Sequence, residues 1–238
     1  MNIGFYAAKQ GVMNMQKGMD ITSNNIANVQ TNGYKVLRGS FSDLIYTSRK
    51  TNEKVDTGHG VKLDKTDLMW EQSALKETGG TLDFATTSEG AFAFKTEDGT
   101  IKYSKDGALY ITKDDNGWRL VNEMGDSALD YEKNEIYVNF NEDTTVNNAE
   151  VLEKLGVFRF ENPYGLEADG NNYYLATASS GEAIADEVLE KRSGYLEASG
   201  VNLADEMVKV IQYQRAFTFN TKMITAQDEM ENAANNLR

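Results

Sequence analysis

A single histidine, His59, sits between Gly58 and Gly60. Any Ser/His/acid relay would have to run through it. A lone imidazole in a glycine-rich loop reads as a surface group rather than a base. Cysteine is absent, which removes disulfides, thiolate nucleophiles and thiolate metal sites. There is no Gly-x-Ser-x-Gly elbow, phosphate-binding loop, dinucleotide fingerprint or zinc-binding histidine pair. The 37 Asp and Glu offer carboxylate pairs of the kind that cleave glycosides, but so acidic a surface offers such pairs regardless. Asp114-Asp115-Asn116-Gly117 reads as a hairpin turn and not as a calcium loop. The expectation is a non-catalytic chain with no cofactor, no metal and no small-molecule substrate.

The elements that carry these residues divide the chain by charge. The net charge is −13 over 238 residues, but residues 1–40 carry four bases and one acid. Residues 41–200 carry 16 bases and 31 acids, and residues 201–238 carry four bases and five acids. An acidic middle argues against nucleic acid, which demands clustered Lys and Arg. No run approaches the roughly 18 apolar residues of a spanning helix. The opening Met-Asn-Ile-Gly-Phe-Tyr lacks the basic and apolar regions of a cleaved secretory signal.

Both ends read as helices. Phe5, Ala8, Val12, Met15, Met19, Thr22, Ile26 and Val29 alternate three and four apart, a heptad seam with one polar member. Gly4, Gly11 and Gly18 each weaken that helix by about 1 kcal/mol. They recur every seven residues, so they share one face and could form a groove for a close helix. The pattern predicts an end within the asparagine-rich run 24–32, with Gly33 as a left-handed cap. At the other end Asn202 is an N-cap, with Asp205 and Glu206 in the first turn. Ala216, Phe219, Met223, Ala226, Met230, Ala233 and Leu237 make a three-four repeat, and Leu203, Met207, Val210 and Phe217 make an offset stripe. A helix wet on one face needs only one stripe. Two stripes imply two neighbours, although an ordinary hairpin of helices within one chain fits the periodicity nearly as well.

Between the helices, short runs at 91–94, 101–103, 109–111, 118–121, 136–140 and 157–160 are rich in aromatic or β-branched residues. Turn signals at 97–99, 105–107 and 116–117 separate them, which predicts antiparallel β structure with an aromatic core. The predicted fold class is α+β, with terminal helices flanking a central antiparallel β domain. Its expected parts are a helical segment 1–35, an extended connection 36–80, the β domain 81–192 and a helical segment 193–238.

Two stretches carry a resemblance. Ser23-Asn24-Asn25-Ile26-Ala27-Asn28-Val29-Gln30-Thr31-Asn32-Gly33-Tyr34-Lys35 resembles the signature of bacterial flagellar rod and hook proteins. Ser193-Gly194-Tyr195-Leu196-Glu197-Ala198-Ser199-Gly200-Val201-Asn202, leading to Gln214-Arg215-Ala216-Phe217, resembles the C-terminal module of that family. Leu82-Asp83-Phe84-Ala85, Tyr103-Ser104-Lys105-Asp106-Gly107 and Asn162-Pro163-Tyr164-Gly165-Leu166 resemble its β domain, so most of the chain is covered. Gly200 stands where the family usually has Asn, and the segment 46–58 is shorter than in typical distal rod proteins.

The resemblance implies a structural subunit of the flagellar basal-body rod. Such subunits stack helically into an axial shaft, with the terminal helices paired as a coiled coil and the β domain outside. It implies partners among its own copies, other rod and hook proteins and the flagellar type III export apparatus, through which the chain passes without a cleaved signal. It places assembly on Phe5, Ala8, Val12, Met15, Met19, Asn24, Asn25, Ile26, Ala27, Asn28, Gly33, Tyr34 and Lys35. At the other end it places assembly on Asn202, Met207, Ile211, Gln214, Arg215, Ala216, Phe217, Phe219, Met223, Met230 and Leu237. The alternative within the family is a hook subunit, usually longer and carrying an extra outer domain. Outside it stand a carbohydrate-active enzyme and a binding module on a helical stalk.

Overall fold

A computed structural model describes residues 3–44, 47–48, 56–57, 59–114, 117–138 and 148–237. The chain is α+β, with a helix near each end and antiparallel β structure between them. It divides into two compact units. The first combines residues 1–27, 37–67 and 202–238; the second combines 28–36 and 68–201. The division does not follow chain order, because 37–67 folds with the helices while 28–36 and 193–201 fold with the β sheet.

The first unit is built on helix α1, Ile3–Ala27. It ends inside the asparagine cluster, where side chains compete for main-chain partners. Two asparagines, Asn14 and Asn25, dock it on a pair of strands by imitating backbone. The Asn14 carboxamide donates to Val61 O at 2.5 Å and accepts from Leu63 N at 2.9 Å, on strand Val61–Leu68. The Asn25 carboxamide donates to Leu37 O at 2.8 Å and accepts from Leu37 N at 3.0 Å, on strand Leu37–Asp43. Those two strands pair with each other. Both asparagines are buried, so each turns a costly buried amide into a satisfied strand-like contact.

Among its described residues the second unit holds a ten-stranded sheet, two separate antiparallel pairs (Phe84–Thr86 with Lys191–Ser193, Leu75–Glu77 with Tyr195–Glu197) and a short helix, α2 (Asn148–Lys154). Its centre is strand Ala91–Lys95, which pairs antiparallel with Ile101–Ser104, with Ser127–Ala128 and with Val157–Arg159. The turn before Ile101 passes through Gly99 at φ +79°, a conformation that favours glycine. Strands Tyr110–Asp114 and Gly117–Val121 form the hairpin read at Asp114–Gly117, though Asp115 and Asn116 lie outside the described residues. The run expected at 136–140 is a strand at Tyr137–Val138, and 139–140 lie outside the described residues. Phe84, Phe92, Phe94, Leu109, Leu120, Ile136 and Val157 form the core, closed by Val151 and Leu155 at the end of α2. Phe84, Phe92, Phe94, Tyr103, Phe158 and Phe160 are buried as core, whereas Tyr110, Trp118 and Tyr164 are exposed.

The third helix, α3, runs from Leu203 to Asn236 in the first unit. Asn202 caps it, accepting from Ala204 N at 3.1 Å, with Asp205 and Glu206 in the first turn. No described helix is long and apolar enough to cross a membrane.

Candidate assembly surface

The two long helices run antiparallel, and their register is visible in the glycines. A β-carbon on Gly4 would stand 2.3 Å from Gln227 Nε2, one on Gly11 2.6 Å from Asn220 Nδ2, and one on Gly18 3.0 Å from the Tyr213 ring. One further heptad along, Asn25 Nδ2 donates to Glu206 Oε2 at 3.3 Å. Residue numbers in each pair sum to the same value, so one register holds along the whole seam. Each glycine is the space that a large side chain of α3 fills. The missing β-carbons cost helix propensity and permit close approach.

The least exposed positions of α3 are Glu206, Val210, Tyr213, Phe217, Asn220, Ile224 and Gln227, with Lys209 and Ala216 beside them. The first seven alternate four and three apart. The facing positions of α1, Gly4, Ala8, Gly11, Met15, Gly18, Thr22 and Asn25, do the same. Of the seam read from sequence, Ala8 and Thr22 are buried and Met15 is half-buried. Phe5, Val12, Met19 and Ile26 lie one residue, or about 100°, beyond the glycine row and are half-buried.

The other predicted repeat of α3 faces away from this seam. Phe219 is 65% exposed, Met223 43%, Met230 60% and Leu237 89%. Leu203, Met207 and Ile211 are also exposed, on another flank of the same helix. Their exposure leaves a helix that buries a seam of mixed polar and apolar residues and presents apolar rows to water. Such an arrangement departs from the usual amphipathic order, in which the exposed faces are polar. A shallow groove on this outer side is lined by Ile211, Gln214, Arg215, Thr218, Phe219 and Lys222.

The signature residues behave differently. Asn24 and Ala27 are exposed, Ile26 and Asn28 half-buried, and Asn25, Gly33, Tyr34 and Lys35 buried. In the second unit Lys35 meets the C-terminal module directly. Its ammonium lies 2.6 Å from Glu197 Oε1, both side chains are 1% exposed, and it donates to Glu71 O at 2.5 Å. Glu197 Oε1 also accepts from Ser73 N at 2.8 Å. Glu197 Oε2 lies 3.3 Å from Lys105 Nζ, an ion pair without hydrogen-bond alignment. Burial lowers the Lys105 pKa to about 8, although Glu197 pulls it upward.

Main-chain bonds close the same junction, Gly33 N to Glu197 O at 2.7 Å and Gly200 N to Tyr34 O at 2.9 Å. Ser199 Oγ donates to Asn28 O at 2.8 Å. Gly33 has φ +65°, and a β-carbon there would stand 2.6 Å from the Lys105 carbonyl carbon. The N-terminal signature and the C-terminal module thus form one buried junction.

Sequence reasoning missed Asn14, Glu197, Lys105 and the polar members of the α3 seam, though it named Val210 and Phe217, which also lie in that seam. The seam left a signal: Glu206, Tyr213, Asn220 and Gln227 recur every seven residues, in step with the three glycines. His59 is half-buried, and no group of three or more His, Cys, Asp or Glu among the described residues is placed to hold a metal.

Comparison with known proteins finds a family match at each end of the chain. Residues 5–35 match the family described as flagella basal body rod protein, and residues 192–237 match the flagellar basal body rod FlgEFG protein C-terminal family. The flagellar basal-body rod protein FlgG of Borreliella burgdorferi is 34% identical, over 98% of this chain and 97% of its own. That of Bacillus subtilis is 32% identical over 98% of each chain. The flagellar hook-basal body complex protein FlhP of Bacillus subtilis is 27% identical over 94% of this chain and 95% of its own. Rod proteins match along nearly their whole length, which favours the rod over the hook. The chain belongs to the flagellar basal-body rod protein family, and it is a structural subunit of the rod, not an enzyme.

Proposed function

We propose that α1 and α3 pair as a coiled-coil stalk, and that copies stack through it into the helical shaft that carries torque. The alternating four-three spacing of both facing rows supports the coiled-coil reading. The observation that carries assembly is the exposed apolar row of α3, Phe219, Met223, Met230 and Leu237. A second neighbour is what such a row requires once α1 occupies the first. Contacts between unlike faces that do not close into a ring propagate into a filament.

On this reading Met207, Ile211, Phe219, Met223, Met230 and Leu237 contact neighbouring subunits directly. Asn25, Gly33, Tyr34 and Lys35 act by holding the subunit's own shape. Other rod and hook axial proteins continue the stack, and the chain reaches it through the flagellar type III export apparatus.

The test is Met223→Asp expressed in cells lacking the wild-type chain. The expected outcome is loss of motility and basal bodies whose rods stop short, while purified variant keeps the wild-type unfolding transition of its β sheet. Normal motility would refute the assembly role of this row.

A further inference from the structure

The outer face of α3 contains both halves of a contact. The groove between Ile211 and Lys222 has an apolar floor, Ile211 and Phe219, and two cations one heptad apart, Arg215 and Lys222. Neither cation forms an ion pair among the described residues. Two turns further on, every residue from Asp228 to Leu237 is exposed. That stretch carries Asp228, Glu229 and Glu231 beside Met230, Ala233 and Leu237, with no base among them. The groove suits an acidic amphipathic helix, and the stretch is one.

The two cannot meet within one molecule. Both lie on one unbroken helix, Leu203–Asn236, about 20 Å apart at about 1.5 Å per residue. The occupant is therefore a second copy.

We propose that α3 helices of successive copies pack parallel with a stagger of two heptads, the C-terminal turns of one copy lying on the groove of the next. This deepens the assembly reading above and rests on it. The stagger sets Arg215 against Glu229 of the next copy. Along the apolar row it sets Ala216 against Met230, Phe219 against Ala233 and Met223 against Leu237. Small faces large at the first two levels, and the cation meets an acid. A one-heptad stagger would set Arg215 against Lys222 and repel. An antiparallel pair centred on Lys222 would set that cation against its own copy. The two-heptad contact joins unlike ends, so each copy leaves one groove and one acidic end for its neighbours. The axial step is about 21 Å.

Two experiments test it. Arg215→Glu and Glu229→Arg should each abolish motility in cells lacking the wild type, and the double variant should recover it. The chain has no cysteine, so Phe219→Cys with Ala233→Cys gives a clean background. Oxidised basal bodies carrying the double-cysteine chain should yield a covalent ladder, and each single-cysteine chain should yield monomer. Disulfide dimers from a single-cysteine chain would show a closed two-fold contact and overturn the stagger. Motile charge variants with no ladder, in a background where Met223→Asp still stops the rod, would overturn this contact and leave the assembly reading standing. If Met223→Asp cells also swim, both fall.

Discussion

Gly11 of α1 faces Asn220 of α3 so closely that a β-carbon on the glycine would stand 2.6 Å from the carboxamide nitrogen. The obstruction is the end of a flexible side chain. At Gly33 the obstruction is main chain, the Lys105 carbonyl carbon at 2.6 Å and Asp106 N at 2.7 Å, and φ is +65°. Two glycines with similar clearances should therefore respond differently. Gly11→Ala gains about 1 kcal/mol of helix propensity and asks only that Asn220 rotate. Gly33→Ala forces a side chain into left-handed backbone, at about 1–3 kcal/mol before any clash is counted. Thermal unfolding should show Gly11→Ala close to or above wild type and Gly33→Ala well below it. The reverse order would contradict the register of the helix pair.

A second prediction concerns the buried junction. Among the described residues, Glu197 is the one carboxylate within ion-pair distance of both Lys35 and Lys105. Glu197→Gln leaves two buried ammonium groups without their counter-charge, and should cost about 3–5 kcal/mol. Lys105→Met leaves the 2.6 Å Lys35–Glu197 pair intact and should cost less. Denaturant unfolding of the two variants checks the ranking, and equal losses would mean that Glu197 does not serve both lysines.

The pH dependence follows from two neighbours in sequence. Burial raises the Asp106 pKa from 3.8 to about 6, with Glu123 and Asp83 adding to the rise. Folded Asp106 then holds its proton where the unfolded chain has lost it, so this group's stabilisation is lost as pH rises from about 4 to about 6. Burial lowers Lys105 from 10.5 to about 8. Its folded form sheds a proton that the unfolded chain keeps, so this group raises stability between about pH 8 and 10.5. Together they place a minimum between about pH 6 and 8. Asp106→Asn retains an acceptor for Ala108 N and should flatten the acid limb alone; Lys105→Met should flatten the alkaline limb alone. Unfolding free energies measured across pH 4–10 would show whether each limb belongs to its residue.

What sequence could disclose varies along the chain. The strands at 91–95, 101–104 and 117–121 were legible because each combines β-branched or aromatic residues with a turn beside it. Helix α2 was not, since seven residues are too few for a helical period to stand out. The apolar rows of α3 were legible as rows, but periodicity ranks faces by hydrophobicity. Here the inward face mixes Val210, Phe217 and Ile224 with the polar Glu206, Tyr213, Asn220 and Gln227; glycines opposite give the last three room, and Asn25 meets Glu206. The signature around Lys35 was legible as a pattern. Its physical reason was not, because the partner carboxylate lies 162 residues away.

The last prediction follows from how the helix seam changes along its length. At one end Asn25 is held by Leu37 and Glu206, and Tyr213 lies against Phe41 with ring centroids 6.1 Å apart. At the other end Gly4 meets Gln227, whose Oε1 is buried without a hydrogen-bond partner among the described residues. Beyond it α3 is exposed on every side. A glycine-rich helix draws its order from packing, so it should open where packing is weakest. In a dilute monomer, amide exchange should be slow from Thr22 to Asn25 and near Val210. It should approach unprotected rates for residues 3–11 and 228–237. Assembly should then protect both tips, since neighbouring copies supply the apolar cover that the monomer lacks. Full protection of residues 3–11 in the monomer would mean that the seam is stable without neighbours, and that exposure of the outer row carries no drive to assemble.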